Sequence, residues 1–172
     1  MLSKKMEKAL NDQMVFEWYS GYIYLSMASW FVTKDLPGFA NWFRVQAQEE
    51  LLHGIKFFDY INEVGGHART GAIKEPPLTF KSIRAACELA LEHEKIVTSN
   101  INKLVTMARK ENDHATDNFL QWFITEQIEE EANATANVAK VKMVENDGRG
   151  ILMLDTEMAK RVFTPPAAPA EA

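Results

Sequence analysis

Thiols are nearly absent from this chain of 172 residues, and Cys87 is the only one. One cysteine excludes an intrachain disulfide framework and every metal or redox motif that needs paired thiolates. Positive charge is also short: 19 Lys and Arg stand against 24 Asp and Glu, a formal net charge of −5. Broad attraction to nucleic acid or to an anionic membrane surface is therefore not expected. No run of eighteen apolar residues occurs, so no membrane-spanning helix is predicted. The first eight residues, Met1-Leu2-Ser3-Lys4-Lys5-Met6-Glu7-Lys8, carry charges where a secretory signal needs an apolar core, which makes a cytoplasmic address the expectation. Strand-like alternation is missing too. Helix-favouring residues dominate to about Lys160, and the length suits one domain with a sizeable core.

What is present is a set of long, interrupted apolar stripes. Ser3 can cap a first helix running to about Lys34, whose stripe is Leu10, Met14, Glu17, Gly21, Tyr24, Ala28 and Phe31. After the break Asp35-Leu36-Pro37-Gly38, a second helix runs to about Val64 and ends at Gly65-Gly66. Its stripe is Phe43, Ala47, Glu50, Gly54, Phe57, Ile61 and Val64. So short a connection predicts an antiparallel neighbour.

From Gly66 to about Thr79 the pattern lapses at Gly71, Pro76 and Pro77. About fourteen extended residues reach roughly 46 Å, the length of a thirty-residue helix, so this segment can cross the whole bundle. Helices two and three are then parallel. The third helix, about Phe80 to Lys110, buries Ile83, Cys87, Ala90, Glu94, Val97, Ile101, Leu104 and Ala108. A fourth, about His114 to Glu145, buries Phe119, Phe123, Gln127, Glu130, Ala134, Val138 and Val141. Asn146-Asp147-Gly148 precedes a short, apolar fifth helix, about Gly150 to Val162. The expected organisation is one all-α domain over residues 1–162, with a disordered Pro/Ala-rich tail over 163–172.

Each long stripe is broken near mid-length by a glutamate: Glu17, Glu50, Glu94 and Glu130. They lie about thirteen to seventeen residues from their helix starts, or roughly 20–25 Å along. In a four-helix bundle that depth is common to all four helices, so the carboxylates should meet in one layer. His53, three residues after Glu50, lies about 60° away on the same face. A single Glu on such a stripe most often reaches to water from its flank. Four at one depth, with no Lys or Arg on the stripes beside them, would repel and be forced in part to stay protonated.

Two divalent metal ions compensate them most simply, Glu17 and His53 completing one site, Glu94 and Glu130 the other, and Glu50 bridging. Carboxylates with one imidazole and no thiolate suit iron or manganese, and a redox pair with room for an exogenous ligand suggests dioxygen or peroxide chemistry. Glu49, Glu126 and Glu129 form a second acidic group, readable either as a solvated helix face or as a third cation site. Tyr24 is a core tyrosine or, two turns from Glu17, a redox or hydrogen-bonding partner of the metals. Trp122 reads as packing, His93 as outward-facing, and His67 and His114 as residues of connections.

With these residues in place, the chain resembles the ferritins over about residues 1–162, and most closely the non-haem ferritins of bacteria and archaea. Inward Glu and Glu-x-x-His ligands are an established feature of ferritin-like di-iron bundles. The resemblance implies a ferritin-like four-helix bundle with a long crossover and a short fifth helix. It implies that residues matching Glu17, Glu50 and His53 bind one iron and those matching Glu50, Glu94 and Glu130 the other. It further implies that Gln127 lines the centre, that Glu49, Glu126 and Glu129 bind a third iron, and that Tyr24 lies nearby.

The implied activity is ferroxidase with iron storage: Fe(II) is oxidised by dioxygen or peroxide and stored as ferric oxyhydroxide in a cage of twenty-four subunits. The haem-containing bacterioferritins carry a second Glu-x-x-His on helix four, where this chain has Asn133 three residues after Glu130. Leu51 occupies the position of their haem-binding methionine. No haem is expected. A di-metal enzyme that stores nothing and a metal-free structural bundle remain the other classes open.

Overall fold

A computed structural model describes residues 2–164. It contains five helices: α1 Lys4–Val32, α2 Pro37–Glu63, α3 Ile83–Glu111, α4 His114–Val144 and α5 Gly148–Met158. The proposed Pro/Ala-rich tail falls, from residue 165 onward, outside the described residues.

The helix starts follow from local chemistry. Ser3, Ser82, Asp113 and Asp147 each accept a hydrogen bond from a backbone N–H two or three residues on, satisfying a donor that has no partner within its helix. Leu36 cannot do this for α2. Asp155 supplies the bond instead, from α5, accepting from the Phe39 N–H at 2.8 Å. The short helix thus caps the second one from 116 residues away in sequence. The α3–α4 corner turns on Asn112 at φ 55°, a left-handed conformation that Asn tolerates.

Contacts at the helix ends fix the directions. Ser3, at the start of α1, donates to Glu111 at the end of α3. Trp30, near the end of α1, packs edge-on against Phe80, just before α3. So α1 and α3 are antiparallel, and α1 and α2 are antiparallel across their four-residue turn. Therefore α2 and α3 run parallel, as the predicted crossover requires. That crossover lies along α1: Asn11 holds the backbone at His67 and Arg69, and Ser26 donates to the Pro77 carbonyl.

The apolar core is split. One cluster, around Phe31, Phe39, Phe43, Cys87 and Val141, fills the end of the bundle nearer α5. Another, around Met14, Phe57, Ile101, Leu104 and Phe123, fills the opposite end. Burying each of these large side chains contributes about 1.5–3 kcal/mol. Between the clusters lies a polar layer, and its position is the one the interrupted stripes predict.

Candidate metal centre

Glu17, Glu50, Glu94 and Glu130 are all buried, and so is His53. Two rings of donor atoms form among them. Glu17, Glu50 and His53 bring one ligand atom each within 4.8 Å of one another, and Glu50, Glu94 and Glu130 do the same. Glu50 belongs to both rings. Glu50 is thus the one residue that can offer an oxygen to a cation in either ring.

Glu17 and Glu50 are each held through one oxygen and leave the other uncommitted, whereas both oxygens of Glu94 accept hydrogen bonds. Gln13 Nε2 donates to Glu17 Oε1 at 2.8 Å, from one helical turn earlier. Gln46, one turn before Glu50, donates to Glu50 Oε1 at 3.1 Å and to Glu130 Oε2 at 2.7 Å. The Tyr24 hydroxyl donates to Glu94 Oε1, and Gln127 Nε2 donates to Glu94 Oε2 at 3.2 Å. Among the described residues, Glu17 Oε2 and Glu50 Oε2 are the buried side-chain atoms with no hydrogen-bond partner. Glu50 Oε2 lies 3.4 Å from His53 Nδ1. Glu17 and Glu50, each with an orphaned carboxylate oxygen, together with the His53 imidazole, are a donor set for a hard or borderline cation.

Electrostatics agree with that geometry. Burial pushes the Glu17 carboxyl up to about 8, with Glu50 adding to the rise. Burial raises Glu94 to about 8, again with Glu50 adding. Glu130 reaches about 8 through burial and then Glu94. Glu50, between the others, is raised well above the usual carboxylate range by burial and Glu130. Without a cation, the layer holds protons that free carboxylates would have lost at neutral pH. A divalent ion held by the same oxygens would supply that positive charge instead.

The acidic group beside the layer is less concentrated than predicted. His53, Glu126 and Glu130 form a third ring of donors within 4.8 Å, and Glu126 Oε1 lies 3.8 Å from His53 Nε2. Glu129 is exposed, and Glu49 turns to Arg161. Trp122 packs edge-on against His53 and carries Lys56 over its outer face at 4.2 Å.

One expectation is corrected. His93 does not face outward; it is buried and shares a 2.7 Å hydrogen bond with Ser20 Oγ, among the rings of Phe16, Tyr19 and Tyr24. The buried face of α3 is wider than one stripe. Ala86, Ala90, His93 and Val97 form a second series in steps of four and three that the first series conceals. Burial lowers the imidazole to about 4, so it is neutral there. Gln46 and Gln13 were also missed, although each stands one turn before a stripe glutamate, which is a signal the sequence carries.

A family model for the ferritin-like domain matches residues 7–144. A probable bacterial non-heme ferritin-like protein of Haemophilus influenzae is 40% identical over 158 residues, covering 92% of this chain and 96% of that protein. A bacterial non-heme ferritin of Staphylococcus aureus is 37% identical over 163 residues, covering 95% of this chain and 98% of its own. Among solved structures, an open-pore ferritin from the hyperthermophilic archaeon Archaeoglobus fulgidus is 49% identical. It superposes with a TM-score of 0.93, over 94% of this chain and 99% of that one.

Proposed function

Since the chain belongs to the ferritin family, we propose that its carboxylate layer is a ferroxidase centre and that the protein stores iron. The observation that carries this reading is the pair of three-residue donor rings sharing Glu50, buried and with unpartnered oxygens. Glu17, Glu50 and His53 bind one Fe(II), and Glu50, Glu94 and Glu130 the other. Each ion gives up one electron, and together they match the two-electron reduction of dioxygen to peroxide or of peroxide to water. The carboxylates hold the ions side by side, and their negative charge favours the product Fe(III) over Fe(II).

Gln13, Gln46, Tyr24 and Gln127 orient the ligands. Glu49, Glu126 and Glu129 form a third, looser iron site, and His53 and Glu130 connect it to the centre. Asn133 and Leu51 support a centre without haem. We read the protein as cytoplasmic. No helix among the described residues is long and apolar enough to cross a membrane.

Storage requires an assembly. On α5, Leu152 and Met153 are 60% and 75% exposed, and on α1 Tyr22, Leu25 and Val32 are also exposed. Exposed apolar side chains on these helices suit burial against other subunits. They support a homo-oligomeric cage, of twenty-four subunits by the family resemblance, filled with ferric oxyhydroxide.

Loading metal-free protein with Fe(II) and admitting air tests the reading. Storage predicts uptake far beyond the two or three ions of the centre, inside a large assembly. Uptake that stops at the centre's own stoichiometry would point to a di-metal enzyme, and the absence of Fe(II)-dependent oxygen consumption to a structural bundle.

A further inference from the structure

Arg161 lies just beyond α5 and folds back across α2. Its guanidinium stacks 4.3 Å above the Trp42 ring. It donates through Nη1 to Gln46 Oε1 at 2.7 Å and through Nη2 to Glu49 Oε2 at 2.5 Å. Asn41 Nδ2 holds the backbone beneath it, donating to the carbonyls of Ala159 and Arg161 at 3.3 and 2.9 Å. The side chains of Arg161 and Glu49 are 19% and 22% exposed, so water screens the pair only in part.

Two consequences follow from this placement. Glu49 is drawn away from its acidic neighbours: the close donor ring there comprises His53, Glu126 and Glu130 and does not include it. Gln46 gives its oxygen to Arg161, so its nitrogen is committed to Glu50 and Glu130, inside the carboxylate layer. A cation supplied by the chain already occupies the carboxylate that a third metal ion would need.

We propose that Arg161 competes with a third divalent cation for Glu49, so that filling this site and seating the segment after α5 oppose each other. The proposal rests on the reading of the carboxylate layer as a metal centre. A guanidinium and a divalent ion sharing one carboxylate repel, so the ion binds fully only as Arg161 withdraws. By linkage the coupling is reciprocal: whatever holds Arg161 down weakens the third site, and a filled third site loosens residues 159–163. Since α5 also caps α2 through Asp155, this ties occupancy of an outer metal site to the docking of the terminal helix.

Zn(II), which is redox-silent, tests this on the assembled metal-free protein. Calorimetric titration of the wild type should show two tight ions per subunit and a weaker third. R161Q should bind the third about tenfold tighter, the equivalent of ~1.4 kcal/mol, while the first two, which Arg161 reaches only through Gln46, should stay the same or weaken. R161K keeps the charge and should stay near the wild type, which separates competition from a general loosening of the segment. Hydrogen exchange of the wild type supplies a readout that needs no variant: zinc beyond two equivalents should speed exchange at residues 159–163. Third-ion affinity that is equal or weaker in R161Q overturns the proposal, as does unchanged exchange. Two ions without a third in both proteins overturns this inference alone. Failure of the first two to bind removes the metal centre itself and this inference with it.

Discussion

Replacing Glu17 by glutamine should stabilise the metal-free protein while disabling its centre. Glu17 is fully buried, one of its oxygens has no partner, and its carboxyl is raised from 4.5 to about 8. Because the folded-state value lies above the unfolded one, the unfolded chain ionises first as pH rises. The wild type therefore loses stability between pH 4.5 and about 8. At pH 7 the loss from this one group is about 3 kcal/mol, taking 1.36 kcal/mol for each pH unit above 4.5. A neutral amide of the same shape removes that cost and can keep the bond from Gln13. For a chain of this size the gain corresponds to an apparent Tm rise of about 6–12 °C.

The rise should shrink towards nothing as pH falls to about 4.5. Saturating Zn(II) should reverse the order, since the wild type then offers the ion an anionic ligand that the amide cannot supply. Thermal melts of both proteins at about pH 5 and pH 7.5, with and without zinc, measure all of this. An advantage that is absent at the higher pH, or equal at both, would refute the assignment of Glu17 as a buried carboxylate awaiting a cation.

Tyr24→Phe removes the hydroxyl that lowers the Glu94 carboxyl, so the ion held by Glu94 and Glu130 should bind about tenfold more weakly near neutral pH and recover as pH rises. Zinc titrations across pH check this; an unchanged second-ion affinity would leave Tyr24 as core packing alone. Gly38→Ala drives a Cβ into the Asp155 carbonyl oxygen, a backbone atom that cannot step aside without moving α5. It should cost about 1–3 kcal/mol, raise hydrogen exchange in α5, and spare the first two zinc ions. Unaltered melting and exchange would show that α5 docks less tightly than the Phe39–Asp155 bond indicates.

The bundle was legible because its signals are local and repeated. Leu10 to Phe31 and Phe43 to Ile61 are buried where their spacing places them, and the breakers at Pro37, Gly65 and Pro76–Pro77 delimit α2 and the crossover. The carboxylate layer was legible for a related reason: a glutamate at the same depth on each stripe is improbable as four separate accidents. His93 was misread because two interleaved stripes run along α3, and only the more apolar one stands out. Arg161 was out of reach. It meets Glu49 across 112 positions, through a segment whose direction after α5 no periodicity encodes. The remote cap from Asp155 to Phe39 was hidden in the same way.

If the carboxylate layer is a di-metal centre, Glu50 is shared by two ions. Soaking crystals of the metal-free protein in Zn(II) and computing anomalous difference density tests it most directly. Two strong peaks about 3.5–4 Å apart are expected, one among Glu17, Glu50 and His53 and the other among Glu50, Glu94 and Glu130. A single peak, or ions that leave Glu50 untouched, would contradict it.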